Sequence, residues 1–253
     1  ETGPGVIEAA LVVDEAARAA DKAALFKTFT KVWAQRRDMM ATFMAKWSND
    51  YPGQSGHIHL SLRHKDDDRS AFHDPGQPMT MSDTQRHFIG GQQRLMPQFL
   101  ALVASTVNAY TRLVPGFWAP TGATWGCENR TTALRLIPGS ANSQRVEYRV
   151  GPADANPYLA LTAALASGLY GIEQQIEPEP MVTGNAYDQQ HPDHLALPQS
   201  LPEAAARLRQ SPVARELFGA EFVEHYAASR VWEAAENRKY VSDWELQRYF
   251  EII

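Results

Sequence analysis

Apolar and polar positions along the chain separate into stretches of period two and stretches of helical period. Residues 7–13 follow a Gly/Pro turn and read as a strand. Asp14 then suits the N-cap of a long helix reaching about Asp38. Leu25, Phe26, Phe29, Val32 and Trp33 fall on one face of that helix and are predicted core. Residues 41–46 predict a short strand, and an irregular segment leads from it to Gly53-Gln-Ser-Gly-His-Ile-His-Leu-Ser-Leu62. In a strand, alternate residues share a face. His57, His59 and Ser61 therefore look one way and Ile58, Leu60 and Leu62 the other. Two readings of this polar face are open: a solvated histidine pair, or a place to hold a metal or a phosphate.

Further on, residues 64–80 read as an exposed loop rich in Asp, Gly and Pro. Ser82 and Gln85 form a capping box for a helix that Gly90-Gly91 is expected to interrupt, with a second helix over 92–105. Residues 108–126 predict a long ordered loop. A hairpin follows, 131–137 against 145–150. In its second strand Arg145, Glu147 and Arg149 alternate with Val146, Tyr148 and Val150. A solvated sheet face accounts for this pattern as well as a functional one does. Pro157 opens an apolar helix to about Gln175, residues 177–199 read as a polar linker, and the tail is helical. Its starts are marked by Ser200/Glu203, Ser211-Pro212 and Ser242/Glu245.

Composition narrows the function classes. A chain of 253 residues with 44% apolar and 21% charged residues is ordinary for a globular protein. A net charge of −5 gives no reason to expect nucleic acid or an anionic membrane as partner. No apolar run is long enough to span a bilayer. The single Cys127 leaves no intrachain disulfide and fits a reducing, cytoplasmic compartment. The start at Glu-Thr-Gly-Pro-Gly, without Met or a signal peptide, suggests a longer protein.

The polar outliers are Glu1, Glu8, His57, His59, Ser61, Arg112, Arg130, Arg135, Arg145, Glu147 and Arg149. Carboxylates with a histidine suit a hard cation such as Mg²⁺ or Mn²⁺. Arginines beside them suit carboxylate and phosphate. Together they point to phosphoryl transfer, and without a Walker loop any nucleotide is held in another way.

Several motifs, in order, resemble the catalytic domain of the glutamine synthetase family. They are Glu1-Thr-Gly-Pro-Gly-Val-Ile-Glu8, Ala41-Thr-Phe-Met44, Gly53 to Leu62, Asn108-Ala-Tyr-Thr-Arg-Leu-Val-Pro-Gly116, Glu128-Asn-Arg130 through Arg135 and Pro138, Arg145-Val-Glu-Tyr-Arg149, and Asp154-Ala-Asn-Pro-Tyr-Leu159. The resemblance implies one α+β catalytic domain over 1–253, an incomplete antiparallel β-barrel flanked by helices with a helical C-terminal tail. It implies a homo-oligomer, a double ring with active sites shared between neighbours, and the use of ATP, L-glutamate, an amine and Mg²⁺ or Mn²⁺. ATP phosphorylates the γ-carboxylate, and the amine displaces phosphate. By resemblance Glu1, Glu8, His57 and Glu147 are metal ligands. His59 and Ser61 are nucleotide contacts, and Arg130, Arg135 and Arg145 surround ATP and its transferred phosphate. Arg112, with Gly53, binds the substrate α-carboxylate end. Arg149 lies near the reacting γ-carboxyl, and Arg149 and Arg130 take the catalytic roles.

Three departures matter. The family's N-terminal β domain, early barrel strands and a further pair of carboxylate ligands have no counterpart, so a complete site is not expected from this chain alone. The flap Gly-x-Glu-Ala-Pro reads Gly116-Phe-Trp118-Ala-Pro120. Trp118 accepts no proton but offers a π face to an alkylammonium, or else simply packs. Pro52 stands where the family has Asn, and Ser55-Gly56 where it has Gly-Met. These changes look more like γ-glutamylamide ligases that use polyamines or other organic amines than like a true glutamine synthetase using ammonia. A non-catalytic scaffold is disfavoured, because a lapsed enzyme is free to lose the carboxylates, His57 and the arginines, and all are intact.

Overall fold

The computed structural model describes residues 3–114, 116 and 119–252. At its centre is a small open sheet of β1 (Ile58–Leu60), β2 (Trp125–Cys127), β3 (Leu134–Ile137) and β4 (Arg145–Tyr148), in the order β1-β4-β3-β2. β4 pairs antiparallel with β1 and β3, as the hairpin pattern predicts, whereas β2 joins β3 in parallel. Register decides what the sheet presents. Leu60, Val146 and Leu136 align across three strands, as do Ile58, Tyr148 and Leu134, and these rows enter the core. Between them His59, Glu147 and Arg135 align in one row on the opposite face.

The core rows pack beneath α2 (Asp83–Val103), which is buried along most of its length, and α2 packs on α4 (Pro157–Glu173). The expected interruption at Gly90-Gly91 does not occur; both glycines lie inside one continuous helix. A Cβ on Gly91 would stand 2.2 Å from Ser167 O, so the residue is small to let α4 approach, not to end α2. Ser82 caps α2 through Gln85 N, but the Gln85 side chain is taken by Gln144 (2.6 Å), so the capping box is half made. Pro157 opens α4 as its sequence predicts, and Asn156 caps it.

α1 (Ala16–Gln35) corrects a core assignment and a cap. It begins after Glu15, not Asp14, although Asp14 accepts from Glu15 N. It packs on α4 through small residues such as Ala20 and through Lys27 Nζ, which donates to Ala155 O (2.8 Å). Leu25, Phe26, Phe29, Val32 and Trp33 face outward, with Phe29 62% and Trp33 53% exposed. The helical period groups these residues correctly, but it cannot say what the face meets. Residues 7–13 and 41–46 are not strands; neither has a ladder partner among the described residues. The second segment is held instead by Asn108, which accepts from Lys46 N (2.8 Å) and donates to Lys46 O (3.0 Å).

The tail is helical: α5 (Leu201–Gln210), α6 (Pro212–Phe218), α7 (Ala220–Asn237) and α8 (Asp243–Tyr249). Ser242 and Glu245 form the full capping box, while Glu203 turns to Gln199 N and leaves Ser200 to cap alone. No helix among the described residues is long and apolar enough to cross a membrane.

Candidate functional site

The sheet row centres on Glu147, whose side chain is buried in the polar face rather than solvated. Arg149 Nη1 donates to its Oε1 (2.6 Å), Arg135 Nη1 to its Oε2 (3.2 Å), and His57 Nδ1 lies 3.1 Å from Oε1. Burial alone would raise the Glu147 pKa. The hydrogen bond to His57 and the charge of Arg149 outweigh it and bring the group down to about 2. Burial also pushes His57 and His59 down, so both are neutral imidazoles near pH 7. His59 Nδ1 accepts from Arg145 Nε (3.2 Å). The period-two pattern of Arg145, Glu147 and Arg149 is therefore a charge cluster with Glu147 and Arg149 buried and Arg145 half-buried at its margin, and the reading of it as a solvated sheet face is overturned.

Arg112 ends the short helix α3 (Val107–Arg112), which Thr106 caps through Ala109 N (3.1 Å). Its guanidinium is buried and donates to Val150 O (3.1 Å), with no carboxylate pair among the described residues. Burial and the nearby Arg149 charge lower it to about 10. A buried guanidinium that lacks an acid is costly unless an anion joins it, and its planar fork matches a carboxylate. Gly53 lies against its stem: a Cβ there would stand 2.9 Å from Arg112 Cγ and 2.3 Å from Ala45 O. Only glycine lets the 44–46 backbone and Arg112 close on this point.

Around Glu147 the arginines outnumber the acids. Arg135 is shared with Glu128, which accepts from its Nε at 2.9 Å. Sequence reasoning missed Glu128; its left-handed backbone (φ 50°), uncommon outside glycine, was not visible in the pattern. It also missed Asn129, which donates to Gly184 O (2.8 Å) and pins part of the supposed linker. Trp125 Nε1 donates to Glu179 O (2.6 Å), and Val182 N to Trp125 O (2.9 Å). The stretch 177–199 is thus partly docked against the sheet edge, not a free surface linker.

Other candidates are less gathered. Ser61 is exposed beyond β1, and Arg130 is exposed in the β2–β3 turn without a side-chain hydrogen bond or ion pair among the described residues. Glu8 is exposed in the extended N-terminal segment. No three His, Cys, Asp or Glu side chains among the described residues are placed to hold one ion. Of the residues predicted as metal ligands, the structure brings His57 and Glu147 together and leaves Glu8 exposed apart from them. Glu1 and Trp118 lie outside the described residues. What is present fits one corner of a metal site, because His57 Nε2 is buried without a partner and Glu147 is ionised. An all-oxygen or mixed cage needs more donors than this pair supplies.

Comparison with known proteins matches residues 1–249 to the glutamine synthetase catalytic domain. A type-1 glutamine synthetase 2 from Dictyostelium discoideum is 44% identical over 100% of this chain and 49% of its own length. A glutamate–isopropylamine ligase from a Pseudomonas species is 40% identical over 100% of this chain and 55% of its own. The solved structure of GmaS without ligand superposes with a TM-score of 0.83 at 30% identity, over 93% of this chain and 54% of that one. The chain spans about half the length of the curated relatives it matches.

Proposed function

This chain belongs to the glutamine synthetase family, and from that premise we propose that it forms part of an ATP-dependent ligase joining L-glutamate to an organic amine. The carrying observation is the guanidinium charge gathered on this face: Arg112 and Arg149 are buried, Arg149 and the half-buried Arg135 both bond Glu147, and Arg112 has no carboxylate partner among the described residues. Such a face suits reactants that are anionic throughout. In the first step a γ-carboxylate oxygen attacks the terminal phosphorus of ATP; the new O–P bond forms as the bond to ADP breaks. In the second the free amine nitrogen attacks the acyl carbon, phosphate leaves with the electron pair of the C–O bond, and the proton shed by the nitrogen passes to the leaving phosphate.

Arg112 holds the α-carboxylate and Gly53 leaves room for that end. Arg149 faces the γ-carboxyl, and Arg135 and Arg145 offset the charge of the phosphoryl group in flight. Arg130 and Ser61, exposed here, join the nucleotide side only if ATP reaches them. A divalent Mg²⁺ or Mn²⁺, held in part by His57 and Glu147, supplies charge neutralisation when bound. Further ligands would come from outside the described residues, and in this reading a homo-oligomer with shared sites is one source of them. The outward apolar face of α1 is consistent with such contacts.

The name of the Dictyostelium relative favours a second reading, synthesis of glutamine itself with ammonia. Both readings share one test. ADP release by the full-length protein is expected only when L-glutamate, an amine and Mg²⁺ or Mn²⁺ are all present. ADP release that ignores glutamate would remove both.

A further inference from the structure

Tyr187, in the stretch 177–199, is a half-buried side chain whose hydroxyl end is closed off from solvent. Ala186 N donates to Thr131 Oγ1 (2.9 Å), and Tyr187 N to Asn185 Oδ1 (3.2 Å). Asn129 holds the carbonyls of Val182 (3.3 Å) and Gly184 (2.8 Å). These bonds fix the backbone leading into Tyr187. Its hydroxyl is buried and has no hydrogen-bond partner among the described residues. The guanidinium charges of Arg112 and Arg149 both bear on it.

Buried polar groups in folded proteins nearly always have a partner, and each exception asks for one. Among the buried atoms without a partner, two more belong to the charge cluster: Arg149 Nε and His57 Nε2. Three orphaned groups joined by one charge cluster describe an interior prepared for a polar guest. The field of two guanidinium ions excludes a cation from the Tyr187 hydroxyl and favours an anionic acceptor. A phenol O–H donates well to a carboxylate.

We propose that Tyr187 is a specificity-determining residue, its hydroxyl donating a hydrogen bond to a carboxylate of the amino-acid substrate that Arg112 and Arg149 hold. This rests on the ligase reading above and adds a donor to its glutamate subsite. The geometry also sets a role for the Asn129–Thr131 turn, which places Tyr187 by binding its backbone.

Tyr187→Phe in the full-length protein tests it, because only the hydroxyl is removed. The KM for L-glutamate is expected to rise about tenfold, equivalent to about 1.4 kcal/mol, with the KM for ATP unchanged. The unfolding temperature is expected to stay level or rise, since the variant buries no orphaned hydroxyl. The upward shift in that temperature caused by L-glutamate alone is expected to shrink. A lower unfolding temperature with an unchanged glutamate KM would assign Tyr187 a structural role only and overturn the proposal. If the wild-type protein itself shows neither a glutamate-dependent shift nor glutamate-dependent ADP release, the ligase reading fails first and takes this inference with it.

Discussion

Glu147→Ala is expected to abolish turnover in the full-length protein and to lower its unfolding temperature. The carboxylate is 3% exposed and holds Arg149 at 2.6 Å and Arg135 at 3.2 Å. Its removal leaves the buried Arg149 without a counter-charge, while Arg135 keeps Glu128, and breaking a buried pair on one side costs about 3–5 kcal/mol. The same carboxylate is one of the two ligands that fit a divalent ion here. Glu147→Gln separates the effects. It keeps the shape and an acceptor, so part of the stability returns, but the charge is lost. Several kcal/mol of charge stabilisation go with it, so kcat is expected to stay down by at least about a thousandfold. Steady-state ADP release with melting curves on both variants checks this. Near wild-type turnover in Glu147→Gln would remove Glu147 from the site.

Arg112→Lys is expected to raise the KM for L-glutamate about a hundredfold and to leave the KM for ATP nearly unchanged. The guanidinium is buried, bonded to Val150 O (3.1 Å), and without an acid of its own. Lysine offers one compact charge in place of a planar fork, so at least one charge-assisted bond to the carboxylate is lost, about 1.5–3 kcal/mol. Burial also favours loss of the lysine proton, which adds to the effect. Separate titrations of glutamate and ATP decide the outcome. Should ATP affinity fall while glutamate affinity holds, Arg112 belongs to the phosphate side.

What could be read from the sequence follows the reach of each physical rule. Period two placed His57 and His59 on one face and Glu147 between two arginines, and the observed register joins those faces into one row. Local capping chemistry placed the starts of α2, α4 and α8. Rules about partners failed. Period 3.6 gathered Leu25, Phe26, Phe29, Val32 and Trp33 without showing that α4 takes the opposite, small-residue face of α1. Residues 7–13 and 41–46 read as strands from their short apolar runs but lack a strand to pair with among the described residues. Gly90-Gly91 looked like a break because local propensity cannot see α4 arriving. Tyr187 was hidden in a polar, proline-rich stretch, and only the bonds from Asn129 and Thr131 show why it is held inside.

The central claim concerns the acceptor, and one comparison tests it: kcat/KM for ammonium against a panel of alkylamines and polyamines, by phosphate release with saturating glutamate and ATP. Trp118 stands at the flap position where the resemblance expects a glutamate. A carboxylate there attracts ammonium and takes its proton, whereas an indole does neither. The indole face instead favours an alkylammonium by about 0.5–2 kcal/mol, and each buried CH₂ adds about 0.8 kcal/mol. The best organic amine is expected to exceed ammonium by at least about tenfold, a gap of about 1.4 kcal/mol. Ammonium as the best acceptor of the whole panel would contradict the account and leave a glutamine synthetase with an unusual flap.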